Sequence, residues 1–570
     1  MKRPFSQNAV STGPGAAPAQ PAILAMLFRG LAGQRVPDSG RGCPASIAQR
    51  LRGLTGASRA RPAHALLLFL ALSASLPRPT PAEAANFFVK TTGAGTACTR
   101  SEPCDLETAI LGAGDADTVY VAAGTYTGTG DNLVQITRSI RLYGGWNGTG
   151  AGPVVRDPSA HVTTLDGQNA RRVVRISGAI SPVLDGFTVR RGNATGLKTE
   201  CGDAVAEGCG GGILVYQAGP TISNNRIEHN VATTAINWPS TYRGVGGGMH
   251  IVYGSSPRIL GNTFSRNTAC NAAGSWGKGG GLSLLFCSGS TLVENNQILD
   301  NTATAGNETG WGGGMAVNSS DVSVRDNLIR GNTGTPVGSS LGSGLYWWYV
   351  TSGSAVSGNT ITGNSRGSAV LLGYFKGEFT ANRVTDNASD LAVELLNQSG
   401  AGMTRVANNI VSGGENHTVH IDGDATYPVT ASLTGNTLAG EGTSYGVQIT
   451  ESSTVTMLNN IVAGHTLSGV SILDPATVTL TQDHTLFWDN ASDGERGVNP
   501  VDGDPVFANV VHFNYHIRPR SAARDAGAAT ALHVDIDGDP RPWGEAGDIG
   551  ADEYVPSRPP EGAIQILLDE

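Results

Sequence analysis

The sequence predicts an all-β solenoid, a parallel β-helix of stacked coils. A recurring Asn phrase, a recurring Gly-led strand and a glycine-rich, charge-poor composition carry that prediction. The phrase reads NRIEHN at Asn225–Asn230, NTFSRN at Asn262–Asn267, NQILDN at Asn296–Asn301, NLIRGN at Asn327–Asn332, NTITGN at Asn359–Asn364 and NRVTDN at Asn382–Asn387. Looser copies open at Asn409, Asn436, Asn460 and Thr485, so that successive starts lie 37, 34, 31, 32, 23, 27, 27, 24 and 25 residues apart. A self-similar period in this range marks stacked supersecondary units, each too small to bury its own apolar face.

The strand of each unit follows from its glycines. Gly210-Gly-Gly-Ile-Leu-Val-Tyr returns as Gly246-Gly-Gly-Met-His-Ile-Val, Gly279-Gly-Gly-Leu-Ser-Leu-Leu, Gly312-Gly-Gly-Met-Ala-Val-Asn and Gly342-Ser-Gly-Leu-Tyr-Trp-Trp. The first and third residues after the glycines are apolar in every copy: Ile213/Val215, Met249/Ile251, Leu282/Leu284, Met315/Val317 and Leu345/Trp347. That is one strand with one buried face. Asn suits the bends because it tolerates positive φ and because stacked amides can hydrogen-bond to one another. An antiparallel sandwich is the rival fold, but it needs no in-register Asn. Glycine makes up 79 of 570 residues and charged residues only 15%. Turns dressed with Asn, Ser and Thr leave such a balance.

These motifs resemble the bacterial right-handed parallel β-helix repeat proteins, which share the Gly-rich strand and the N-x-I-x-x-N turn. The stretch Cys98-Thr-Arg-Ser-Glu-Pro-Cys-Asp-Leu-Glu-Thr-Ala-Ile110, with Asp117–Tyr126 and Leu142-Tyr-Gly-Gly-Trp146, is similar to their N-terminal caps. Asp504-Pro-Val-Phe507, Ser521–Gly527, Asp537–Pro542 and Asp548–Tyr554 resemble the closing segment called choice-of-anchor Q. The resemblance implies a right-handed β-helix and assigns no reaction.

The order of segments follows. Residues 1–85 read as a leader, 86–170 as a cap and first coils, 171–495 as the regular helix, 496–556 as the closing segment and 557–570 as a tail. Within the leader, Arg50, Arg52, Arg59 and Arg61 precede the apolar run Ala65–Leu72, and Ala82-Glu-Ala84 offers a cleavage site. That is the layout of a secretory signal, and eight apolar residues cannot span a bilayer as a helix. The leader holds 10 Lys+Arg against 2 Asp+Glu, so residues 86–570 carry a net charge of −17. Such a surface argues against nucleic acid and against adsorption to anionic membranes. Export fits the six cysteines that remain. Cys98 with Cys104, Cys201 with Cys209 and Cys270 with Cys287 are the pairs that nearness in sequence favours, among 15 possible connectivities. No Cys or Cys/His spacing suited to zinc is present.

Two outward strips are candidates for function. Residues two and four after the glycines, Leu214/Tyr216, His250/Val252, Ser283/Leu285, Ala316/Asn318 and Tyr346/Trp348, are expected to face out. Insertions just upstream carry Trp238, Trp276 and Trp311. Ring faces beside an outward strip suit the C–H faces of a sugar chain, making Trp238, Trp276, Trp311, Tyr346, Trp348 and Tyr216 glycan-binding candidates. The alternative is that these tryptophans pack their own loops onto the helix. Further on, Glu394, His420 and Gln448 are the outward middle residues of consecutive strands. A carboxylate beside an imidazole can do general acid–base work, or the three can be an ordinary polar ladder.

Asp535, Asp537 and Asp539 are the weak metal candidates. They depart from the EF-hand pattern because Gly538 precedes the third Asp, so Asx turns and pairing with Arg541 or Arg524 compete with structural calcium. No cofactor is otherwise expected. The sequence thus points to an exported, non-catalytic scaffold at or beyond the cell surface, with a glycan or an envelope component as the candidate partner. The alternative is a polysaccharide lyase or glycoside hydrolase using the same groove.

Overall fold

The computed structural model describes residues 84–556, apart from 236–242, 255, 289, 307, 337–339, 350–352 and 399–401. The segment read as a leader with its signal layout, Trp238 and the segment read as a tail therefore lie outside the described residues, save for Ala84 and Ala85. The rest is a right-handed parallel β-helix with three long sheets. We name them by position: a front sheet of 12 strands from Asn132–Ile136 to Ser468–Ile472, a side sheet of 14 and a back sheet of 14. Each coil runs front, side, back and then to the front of the next coil. Pairing within all three is parallel, and it is in register through the repeats, as in Ile213↔Met249, Met249↔Leu282, Leu282↔Met315 and Met315↔Leu345.

In-register stacking turns the sequence pattern into three apolar rows. The front row runs Ile213, Met249, Leu282, Met315, Leu345, Val370, Val393, Val419 and Val447, all essentially without exposure. The side row includes Ile222, Ile259, Val293, Val324 and Val356, and the back row Ile227, Phe264, Ile298, Ile329 and Ile361. Burial of one such side chain contributes roughly 1.5–3 kcal/mol.

The phrase asparagines form two buried ladders at the two corners of the back sheet. In the first, the side-chain amide of each Asn donates to the Oδ1 of the next, from Asn225 through Asn262, Asn296, Asn327, Asn359, Asn382, Asn409 and Asn436 to Asn460, at 2.9–3.0 Å. The second runs from Asn230 to Asn387 in the same way. Each amide also donates to a backbone carbonyl, as Asn301 Nδ2 does to Phe264. The ladder asparagines do not adopt positive φ. The residue before each of them does: Asn224 (54°), Gly261 (61°), Asn295 (54°), Asp326 (57°) and Gly358 (66°) precede the first ladder. The left-handed residue turns the chain, and the Asn after it points inward to pair. At the opposite end of the back strand the Gly-led corner is tight. Gly246 sits at φ 63°, and a Cβ on Gly248 would lie 2.6 Å from the Gly281 carbonyl oxygen, so the coils approach there backbone to backbone.

Both ends are covered. The helix Leu106–Gly112, capped by Asp105 Oδ1 on the Thr108 amide (2.8 Å), packs Leu106 and Ala109 into the core at the first coils. At the other end the chain after Trp488 crosses the last coil, where Arg496 stacks over Phe487. The closing segment does not continue outward from there. Residues 503–556 run back along the outer face of the back sheet as a strap. Its Asp537 pairs with Arg383 (2.6 Å), its Val534 carbonyl accepts from Asn408, and its Gly550 amide donates to Asn459. Under it the outward back-sheet positions turn apolar: Ile410, Ala439, Ile461 and Leu486 pack against Tyr515, Ile517, Ile549 and Ala551.

Two of the three expected disulfides are present, Cys98–Cys104 and Cys201–Cys209, while Cys270 and Cys287 are free and buried. The third pairing fails for a geometric reason. Cys270 ends the strand Thr268–Cys270 of a corner insertion, whereas Cys287 follows the front strand Leu282–Leu285 and points into the main core. That strand alone is about 10 Å long, and a disulfide needs Cα atoms within about 7 Å.

Replacing Asn301 with Leu should cost about 2–4 kcal/mol, because its neighbours' buried amides and carbonyls lose their partner. Denaturant unfolding of the variant beside wild type measures it. Among the six cysteines after the leader, alkylation without reduction should label none in the native protein and only Cys270 and Cys287 after unfolding. Peptide mass spectrometry that found those two linked would contradict this fold of the corner.

Candidate functional site

The front face divides into a roofed part and an open part. Insertions at the corner between back and front form two further sheets, one of three strands and one of five from Ala206–Cys209 to Ser340–Leu341. The loop leading into them, stapled by Cys201–Cys209, lies on the outward front strip. A Cβ on Gly202 would meet Val252 Cγ2 at 2.4 Å, and buried His250 donates from Nε2 to the Cys201 carbonyl (2.9 Å). Arg175 pairs with Glu200 (2.5 Å), and Asp203 with Arg243 and Lys278 (both 3.5 Å), which pins the loop by charge.

The outward strip expected to face solvent is therefore a second small core. Leu214, His250, Val252, Ser283, Ala316 and Tyr346 are all buried, because a neighbouring segment, not the strand's own pleat, decides their exposure. Trp276 and Trp311 serve that roof. Their rings meet edge to face at 5.4 Å, Arg243 lies over both at 5.2 Å, and Trp276 Nε1 donates to Glu308. Of the two readings of these tryptophans, loop packing describes their surroundings. Tyr216 is half-buried at the roof's edge, against Tyr253.

After Ser340–Leu341 the insertions stop, and the front sheet lies open beyond a step. At the step Tyr346 and Trp348 stack at 5.9 Å, and Trp348 lies over Gly373 of the next coil, where a Cβ would come within 2.2 Å of its Cε3. Trp348, Tyr349, Tyr374 and Tyr427 continue as a wall of rings with centroids 4.3–5.9 Å apart. Beside the wall the register places Leu371, Glu394, His420 and Gln448 in one row, so the expected ladder forms. Only Glu394 and His420 are partly exposed, however: Leu371 packs with Tyr346, and Gln448 is buried, contrary to the solvent-facing position expected of it. A cleft of about 750 Å³ opens at the foot of the step, lined by Leu341, Arg366, Ser368, Asp390, Glu394 and Glu415 among others.

The row is chemically biased by burial. Burial pushes the Glu394 carboxyl up to about 7, with Asp422 adding to the rise and Ser368 opposing it. Burial also lowers His420, and it takes His417 down to about 4 with the help of neighbouring His420. His417 stacks between His420 (5.0 Å) and Tyr445 (5.2 Å). The face thus holds neutral imidazoles, of which both His417 ring nitrogens and His420 Nδ1 are sealed from solvent, and a carboxyl that keeps its proton close to neutrality. The groups left open can donate and accept hydrogen bonds with an uncharged polar ligand, and Glu394 can serve as a proton donor.

The Asp535–Asp539 turn faces the strap's interior. Asp535 accepts from the amides of Asp537, Asp539 and Glu553, an Asx-type arrangement. The cation beside Asp537 is not Arg541 or Arg524 but Arg383 of the back sheet, with His516 Nε2 at 2.7 Å. Among the described residues, His516, Asp537 and Asp552 have ligand atoms within 4.8 Å of one another. Arg383 already supplies positive charge to that group, which makes it a poor match for a cation.

Tyr253, Phe286, Tyr349, Tyr374 and Tyr427, and the cleft residues Arg366, Asp390 and Glu415, were not singled out from the sequence. One signal was available. Tyr253, Phe286, Tyr349 and Tyr374 each stand seven residues after the first glycine of their strand, Gly246, Gly279, Gly342 and Gly367.

Comparison with known proteins agrees with the architecture. The family model for a right handed beta helix region matches residues 185–361 and 339–485. Among solved structures, pectate lyase Pel9A is similar at 10% identity with a TM-score of 0.34, over 83% of this chain and 96% of that one. The complex of XylC with xylose is similar at 11% and 0.42, over 82% and 98%. The periplasmic alginate epimerase AlgG is similar at 11% and 0.30, over 65% and 77%. A search of curated proteins found no match.

Because the fold raises Glu394 from 4.5 to about 7, the folded state holds an extra proton between those values. The stability from that group is full below about pH 4.5, falls as pH rises towards 7 and stays lost above it. Glu394→Gln should therefore match wild type near pH 4 and exceed it near pH 8 by on the order of 1–3 kcal/mol. Unfolding curves at the two pH values check the sign.

Proposed function

Since the chain belongs to the right handed beta helix region family, we propose that it is an exported, non-catalytic scaffold holding an extended glycan along its open front sheet. The observation that carries this reading is the pairing of an aromatic wall with a polar row on one face. Trp348, Tyr349 and Tyr427 offer ring surface around buried Tyr374, and the half-buried Glu394 and His420 offer hydrogen-bonding groups one strand spacing apart. Apolar ring surface beside a few fixed polar groups is the common layout of a sugar site.

The two disulfides favour an oxidising compartment, in keeping with the secretory signal read in the leader. No helix among the described residues is long and apolar enough to cross a membrane. A net charge of −17 after residue 85 disfavours nucleic acid as partner. We read residues 496–556 as a choice-of-anchor Q type segment on the motifs at Asp504–Phe507 and Asp548–Tyr554.

A second reading, a glycoside hydrolase or lyase at the same face, is favoured by one observation. Glu394, raised to about 7, opens into a cleft that also holds Asp390 and Glu415. A carboxyl that keeps its proton close to neutrality, with further carboxyl groups nearby, is what the acid step of glycoside hydrolysis needs.

Trp348→Ala and Tyr374→Ala should each weaken binding of a cognate oligosaccharide by about 1–3 kcal/mol. Gly373→Ala, which keeps the rings but displaces Trp348, should weaken it in the same direction. Calorimetry with a panel of neutral and uronate oligosaccharides tests this, and reducing-end and unsaturated-product assays run on the same panel. Turnover abolished by Glu394→Gln would replace the scaffold with the enzyme.

A further inference from the structure

The corner between front and side sheets departs furthest from the Gly, Asn and Asp that predominate at the other corners. Each corner has a left-handed residue, a conformation in which an L side chain crowds its own backbone and which Gly and Asn adopt most readily. At the corner between side and back these residues are mostly Gly, Asn or Asp, with Ala381 and His484 the exceptions. At the corner after the back sheet His229 and Arg266 join Asp300, Gly331, Gly363 and Asp386, and neither corner carries a Tyr, Phe or Trp in these positions. At the corner after the front sheet the in-register residues are Gln217, Tyr253, Phe286, Ser319, Tyr349, Tyr374 and Asn397, all at φ between 48° and 58°. Four of these seven are bulky aromatics, the residue class least suited to that geometry.

The fold leaves part of this ring surface uncovered. Tyr253, Phe286 and Tyr349 are 43%, 42% and 45% exposed, Tyr374 is buried beneath its neighbours, and none of the four belongs to the main core. They stand in two stacked pairs, Tyr253 with Phe286 (5.3 Å) and Tyr349 with Tyr374 (4.3 Å), and Ser319 leaves a notch between them. Strained backbone and exposed apolar rings in one row are what a binding edge shows.

We infer that this row is a ligand-contacting edge, and that it extends the proposed glycan site past the step, alongside the roof, as far as Tyr253. The ligand it fits is a neutral polysaccharide running parallel to the helix axis. The row carries no charge, its ring pairs repeat with the coils, and its Tyr349–Tyr374 pair already belongs to the wall of the open face. The inference rests on the glycan reading of that face, but the Tyr253–Phe286 pair lies beyond it and can be tested separately.

The test uses the left-handed geometry itself. Tyr253→Asn and Phe286→Asn, singly and together in the full exported chain, place at each site a residue that suits the backbone. Melting temperature and affinity are measured with a length series of neutral oligosaccharides, from disaccharide to decasaccharide. We expect an unchanged or higher melting temperature and unchanged affinity for the short members. Affinity for the longest should fall about tenfold in the double variant. A lower melting temperature with undiminished affinity for the longest members would show a purely structural stack and overturn the inference. So would a wild type that binds long members no better than short ones while still depending on Trp348. A wild type that binds no member at any length would overturn the glycan reading and this inference together.

Discussion

The vertical spacing between coils is the constraint on which everything else in this molecule depends. Parallel strands stack about 4.8 Å apart, and a buried side-chain amide at a corner is satisfied only if another stands one spacing above or below it. The chain meets that condition through nine consecutive asparagines from Asn225 to Asn460, each both donor and acceptor. A coil one residue out of phase would leave several polar groups orphaned and turn its apolar row outward. Repeat length can vary freely only where the chain leaves the ladder, and the corner insertions do so.

Those insertions decide where a ligand can go. Upstream they cover the front sheet, and the disulfide Cys201–Cys209 with the Asp203 ion pairs holds the cover down. Downstream the shorter repeats, 23 to 27 residues from Asn359 on, have no such excess chain. The step between the two regimes falls where Trp348 reaches across Gly373, and there rings, carboxyls and imidazoles share one surface. Burial beside the step raises Glu394 and lowers His417 and His420, so one neighbourhood holds polar groups with little formal charge.

The fold was legible in the sequence because its determinants are local and periodic. The ladder asparagines, the Gly-led corners and the alternation Ile213/Val215 need only their own coil to be read. The row Glu394, His420 and Gln448 was legible for the same reason. The fate of Leu214, Val252 and Tyr346 was not, since their cover comes from insertions whose path no local pattern specifies. Nearness in sequence misled for Cys270 and Cys287, because a strand lies between them and carries the second into the core. The aromatic corner escaped notice for a different reason. Its signal is a fixed offset from the glycines, and it takes on meaning only once the backbone at that offset is known to be left-handed.

A stack of coils with only neighbour contacts can peel from its free end one rung at a time. The strap at residues 503–556 changes that behaviour. Its contacts fall on Arg383, Asn408, Thr437, Asn459 and Leu486, which belong to five successive rungs. Releasing the last rung therefore means tearing the strap from rungs more than a hundred residues upstream. The C-terminal third of the solenoid is bound into one block that opens as a whole, like a book held by a sewn spine. The open face with Glu394 and His420 lies within that block, so its geometry is shielded from fraying at the end of the stack.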